Sequence, residues 1–143
     1  MTNNKDLTRF LDAQEQSFET ALGEIKQGRK RSHWIWFIFP QLEGLGLSST
    51  AKFYGIHDLE EATSFLAHPV LGKRLVQISE VLLQLESSDP HEIFGSPDDL
   101  KLRSSMTLFS LVTGADPVFQ KVLAKYFNNQ RDERTVNMLH SAG

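Results

Sequence analysis

Gly28-Arg29-Lys30-Arg31-Ser32-His33-Trp34-Ile35-Trp36-Phe37-Ile38-Phe39-Pro40-Gln41 runs three cationic side chains straight into both tryptophans of the chain and an unbroken apolar run. Ser32 can cap a short helix from His33 to Phe39, and Pro40 stops it. A helix that is apolar on nearly every side belongs in the middle of a globule, enclosed by other helices. The fold is therefore expected to be built around this segment, with the basic run at its entrance.

Working outward, the dominant period is helical. Towards the N-terminus, Leu7, Phe10, Leu11, Phe18, Leu22 and Ile25 recur at three- and four-residue steps, with Asp6 as a cap and Gly28 as a stop. Beyond Gln41, the stretch from Glu43 to Ser49 is glycine-rich and reads as a loop. Asp58-Leu59-Glu60-Glu61 matches a capping box for a helix through Ala67, and His68-Pro69 starts another with proline at its first position. Val70, Leu71, Leu75, Ile78, Val81, Leu82 and Leu85 form the buried stripe of that helix. Ser96-Pro97-Asp98-Asp99 opens a helix to about Val112, and Asp116-Pro117 opens the next. Asp132 caps the last, which carries Val136 and Leu139. The expectation is an all-α, single compact domain over residues 1–143, with about seven helices of uneven length and not a regular four-helix bundle.

Composition narrows the function. With 15 Lys+Arg against 18 Asp+Glu the net charge is -3, so general DNA binding is not expected and any anion site must be local. Cysteine is absent, which excludes disulfides, thiolate metal sites and cysteine nucleophiles. His57, His91 and His140 lack ligand-like spacing and His68 reads as structural, so no metal site is expected, and no cofactor is implied. The N-terminus has no apolar signal core and the longest apolar run is too short to span a bilayer; no membrane association is expected, and a cytoplasmic location follows. Gly44 and Gly46 lack the lysine and the strand context of a phosphate-binding loop.

The candidate site is an anion clamp beside an aromatic wall. Lys30 and Arg31 can hold phosphate, and Ser32 and the backbone N–H groups at a helix start add donors. Trp34 or Trp36 can stack on a base, although residues two apart on a helix face different sides, so at most one lines a pocket. Gln41 can read a polar ligand. On a second helix, Lys101, Arg103, Ser104, Ser105 and Thr107 set hydroxyls and cations where leucine or alanine is expected, and if they serve a ligand they share one concave site with the basic run. His33 and Asp132 are the candidate catalytic groups, the first by its titration range and the second by Arg131 beside it.

The segments Lys30 to Gln41, Gly44-Leu45-Gly46, Tyr54-Gly55-Ile56, His68 to Gly72 and Lys101 to Phe109 resemble a bacterial family of unknown function whose members are small, mainly helical and sometimes labelled calpastatin. A more distant resemblance is to the NADAR group, carried by Glu61-Ala62, Pro69, Gly72, Arg74, Met106, Phe109 and Asp132. The Glu-His-Tyr-Phe-Gln type motif of that group has no counterpart in the chain. The second resemblance implies action on ADP-ribose-like or ribosylated phosphate compounds, with cleavage at the anomeric carbon. The expected partner is thus a phosphorylated or nucleotide-related small molecule. The alternative is a non-catalytic binding module that uses the basic-aromatic surface for a protein partner or RNA.

Overall fold

The computed structural model describes residues 7–142. It contains α1 (Thr8–Lys26), α2 (Ile35–Ile38), α3 (Ser49–Tyr54), α4 (Leu59–Ala67), α5 (Leu71–Gln84), α6 (Pro90–Phe94), α7 (Asp98–Ser110), α8 (Val118–Phe127) and α9 (Glu133–Ala142). The all-α, irregular single domain is as the periodicity implies. The described residues hold nine helices against the expected seven or so: α3 is too short to show a period, and the stretch after Ser87-Ser88-Asp89-Pro90, whose sequence fits a short turn or helix carrying Ile93 and Phe94, is the helix α6. Leu42 and Ile56 form one isolated parallel bridge, and the described residues contain no strand.

Two long helices organise the core. α7 packs against α4, α6, α8 and α9, while α5 packs against α1, α4 and α8. Phenylalanines stitch these layers together. Phe10 of α1 meets Phe65 of α4 edge-on at 5.1 Å between ring centroids. Phe65 meets Phe109 of α7 at 5.3 Å, and Phe109 meets Phe119 of α8 at 5.9 Å. All four rings are fully buried, so one continuous aromatic chain joins four helices.

The caps follow the chemistry of the sequence with local corrections. The Asp6 cap lies outside the described residues. α1 ends on Gly28 in the left-handed region, where the Gly28 N–H donates to the Ile25 carbonyl and the Arg29 N–H to the Glu24 carbonyl, the paired bonds of a Schellman motif. Asp58 accepts from the Glu61 N–H at 2.8 Å, as expected, but the Glu61 carboxylate turns to the His57 N–H and Arg9 instead of closing the box. α5 starts at Leu71, two residues later than Pro69 suggests, and His68 Nδ1 accepts from the N–H groups of Val70 and Leu71 in the role expected of a cap. α7 starts after a cis Ser96–Pro97 bond without a Ser96 cap and ends at Ser110, short of Val112. Asp116 accepts from the Val118 N–H at 2.9 Å. The C-terminal carbonyls of α5 are closed from α8: Lys125 Nζ donates to Leu82, Leu83 and Leu85, and the Tyr126 hydroxyl donates to Leu82. Burial pushes the Lys125 amine down and the Tyr126 hydroxyl up to about 12.

Two glycines test this packing in opposite directions. A Cβ on Gly72 would stand 2.0 Å from the Leu66 carbonyl oxygen, a backbone atom that cannot step aside, so Gly72 lets α5 cross the end of α4. Gly23 lies within α1 with nothing inside 4 Å of such a Cβ. Gly72→Ala should cost at least about 1–3 kcal/mol through overpacking. Gly23→Ala should add about 0.5–1 kcal/mol through helix propensity. Urea unfolding of the two variants checks both signs.

Candidate functional site

The basic run is organised by a residue outside it. Glu24, on the last turn of α1, sends its carboxylate into the turn that follows and accepts from the Arg31 N–H at 2.7 Å, the Ser32 N–H at 3.0 Å, the Ser32 hydroxyl at 2.6 Å and Trp34 Nε1 at 2.9 Å. Partial burial pushes this carboxyl up, but the bonds from Ser32, Arg31 and Trp34 outweigh it and hold the group at about 2, against an ordinary 4.5. The donors that Ser32 and the neighbouring backbone were expected to offer a ligand therefore already hold an internal anion. Ser32 does not cap a helix; α2 starts at Ile35, covers four residues and has no side-chain cap.

From residue 29 to residue 34 the side chains alternate. Lys30, Ser32 and Trp34 turn inward, while Arg29, Arg31 and His33 are exposed. Lys30 Nζ meets Asp98 Oδ2 at 2.8 Å and lies 5.1 Å from the Trp34 ring centre. Lys101 Nζ reaches the other Asp98 oxygen at 3.4 Å and stands 4.8 Å from the Trp36 ring centre. Asp98 thus joins the basic run to α7. Trp34 is buried against Phe39 and Phe94, whereas Trp36 is half-buried. Gln41 is half-buried and its carbonyl accepts from the Ile56 N–H at 2.9 Å.

The hydroxyls of α7 turn to their own helix. Ser104 donates to the Leu100 carbonyl at 3.1 Å and Thr107 to the Arg103 carbonyl at 2.8 Å, while the buried Ser105 hydroxyl has no partner among the described residues. The structure brings Lys30 and Lys101 together at Asp98, and it does not add Ser104, Ser105 or Thr107 to them as open donors. Thr107 instead positions the loop before α9: its Oγ1 accepts from the Asp132 N–H at 2.9 Å.

That loop forms the wall of an open cleft of about 900 Å³ lined by Arg103, Asn129, Arg131, Asp132, Arg134 and Asn137, together with Gln130, Glu133 and Val136. Asn128 and Asn129 are both in the left-handed region, φ 55° and 64°, and turn the chain sharply from α8 into α9. Asp132 caps α9 by accepting from the N–H and hydroxyl of Thr135 at 3.0 and 2.6 Å. Its other oxygen lies 4.0 Å from Arg103 Nη2. The Arg103 guanidinium stands over Phe127, and its buried Nε has no partner among the described residues. His33 does not line this cleft, so the two candidate catalytic groups are not brought together there. No metal-holding group of three His, Cys, Asp or Glu occurs among the described residues. None of their helices is long and apolar enough to cross a membrane.

Two contributors escaped the sequence reading. Glu24 had a signal, because an acid on the last turn of a helix faces the negative end of the dipole and needs compensation from elsewhere. Arg134 had a weaker one, in the charged run Arg131-Asp132-Glu133-Arg134 at a helix start.

The model of the family described as "Protein of unknown function (DUF1810)" matches residues 4–139, and the chain belongs to that family. The crystal structure of the conserved hypothetical protein Rv1873 from Mycobacterium tuberculosis is similar at 49% identity and a TM-score of 0.92, over 94% of this chain and 96% of that one. No curated protein matches.

The lowered Glu24 carboxyl makes stability depend on acid. A carboxyl at about 2 in the folded chain and near 4.5 when unfolded contributes stability fully above about pH 5 and loses it as pH falls towards 2. Glu24→Gln should therefore be less stable than the parent at pH 6 and approach it at pH 2. Urea midpoints across that range check this, and a difference that stays constant would remove the linkage.

Proposed function

Starting from a family whose description assigns no activity, we propose that the chain binds a small phosphorylated or nucleotide-related anion in the cleft between α7 and the start of α9. The supporting observation is the convergence of Arg103, Arg131 and Arg134 on one concavity, with Asn129 and Asn137 as neutral hydrogen-bonding groups. Three guanidinium groups against the carboxylates of Asp132 and Glu133 leave the lining with a net charge of +1. Guanidinium forks match phosphate oxygens in pairs, and the volume lies within the roughly 300–1,000 Å³ of small-molecule sites.

The hydrolase reading rests on Asp132, the one position of the NADAR resemblance that lines the cleft. Glu61 is paired with Arg9, Arg74 bonds Gln14, Gly72 sits against Leu66, and Met106 and Phe109 are core. In that reading, the Asp132 oxygen facing Arg103 stabilises positive charge developing at an anomeric carbon during cleavage. The carboxylate also caps α9, so Asp132→Asn, which keeps an acceptor for Thr135, separates the chemistry from the cap.

Calorimetric titration and thermal shift with ADP-ribose, NAD and ribose 5-phosphate test the binding. Saturation at about a hundred times the dissociation constant should stabilise the fold by roughly 2.7 kcal/mol. Arg103→Ala with Arg134→Ala should lose about 1.5–3 kcal/mol of binding per charge-assisted hydrogen bond, whereas Lys30→Ala should leave affinity unchanged. Failure of all three ligands to bind, or equal affinity in the double variant, overturns the proposal. If binding survives but no ribosyl compound is cleaved, or Asp132→Asn cleaves as fast as the parent, the hydrolase reading falls alone.

A further inference from the structure

The outward half of the basic run is separate from the cleft. Arg29, Arg31 and His33 are exposed at alternate positions, and among the described residues their side chains have no hydrogen bond or ion pair. The backbone beneath them is pinned: the Arg29 N–H donates to the Glu24 carbonyl, the Lys30 N–H to the Ile93 carbonyl, and the Arg31 and Ser32 N–H groups to the Glu24 carboxylate. The intervening Lys30 side chain is locked on Asp98. A rigid row of unpaired donors loses little backbone entropy when a ligand arrives.

We propose that this row is a docking surface for the sugar-phosphate backbone of single-stranded RNA. Two guanidinium forks and an imidazole face solvent in sequence, and a flexible strand can lay successive phosphates on them. With a net charge of -3, the chain lacks the broad positive field that draws in a duplex, so a short local contact suits a single strand better. A protein partner fits less well. Among the described residues the exposed large apolar side chains are Leu47, Phe53, Val70 and Leu100; none belongs to the row, which therefore has no apolar centre of its own for a protein interface.

Fluorescence anisotropy of the full chain with a labelled oligouridylate of about twelve nucleotides, at about 50 and 200 mM salt, tests the surface. Binding should be saturable and weaken with salt, with a logarithmic slope of about -0.7 for each phosphate neutralised, hence about -1.4 to -2 for two or three contacts. Arg29→Ala with Arg31→Ala should weaken binding about tenfold and bring the slope towards zero, without moving the thermal midpoint. The corresponding double lysine variant should keep most of the slope, because the electrostatic part needs only charge. Arg103→Ala with Arg134→Ala should bind RNA like the parent, which separates this surface from the cleft. The proposal is overturned if the parent does not bind, if the double alanine variant binds equally well, or if a polyglutamate peptide displaces the RNA as effectively as unlabelled RNA does.

Discussion

Four donors converging on the Glu24 carboxylate hold the entrance of this fold together. An acid at the closing turn of α1 is unfavourable for the helix itself, since the last carbonyls are already a negative pole. The cost is offset because the chain, reversed by Gly28, returns two N–H groups, a hydroxyl and an indole to the same carboxylate. Once that turn is fixed, Trp34 is held against Phe39 and Phe94, α2 enters the core, and Lys30 faces Asp98 at the start of α7. Removing one charge therefore disturbs the attachment of three helices.

Much of the architecture is legible in the sequence, because the longer helices advertise themselves twice, by an apolar stripe and by a terminus. Leu71, Leu75, Ile78, Val81 and Leu82 are buried along one side of α5 as their spacing predicts, and Asp58, Asp116 and Asp132 each accept from a backbone N–H at a helix start. The segment from His33 to Phe39 was harder. Its apolar side chains are largely buried, yet only four residues are helical, since hydrophobicity reports burial and says little about where a short helix begins when every face is apolar.

The site was less legible for a related reason. A donor's residue type does not reveal its acceptor, and Ser32 faces an acceptor eight residues away that only the tertiary turn brings near. Ser104 and Thr107 are ligand groups by residue type but bond back to carbonyls one turn earlier, which hydroxyls in a buried helix can do without outside help. Conversely, Arg103 and Arg134 come from segments about thirty residues apart and meet only because the left-handed Asn128 and Asn129 fold the start of α9 back onto α7. The inward half of the basic run, Lys30, Ser32 and Trp34, serves to build, while the cationic concavity gathers Arg103, Arg131 and Asp132, which the sequence marks, with Arg134, which it marks only weakly.

The seal at the end of α5 also bears on how the molecule breathes. Since Lys125 and Tyr126 close the α5 carbonyls from α8, that end of α5 cannot fray without pulling α8 away, and the two helices should open as one cooperative unit with slow amide exchange. α3 has no buried residue and leaves Phe53 largely in solvent, and its anchors, the Tyr54 ring against Phe10 and Phe37 and Arg9 Nε donating to the Phe53 carbonyl at 2.8 Å, lie outside that pair, so it can open without disturbing α5 and α8. The protein is thereby divided into a slow half and a fast patch, and a protease sampling transient openings would nick the chain near Phe53 long before it reached the α5–α8 pair.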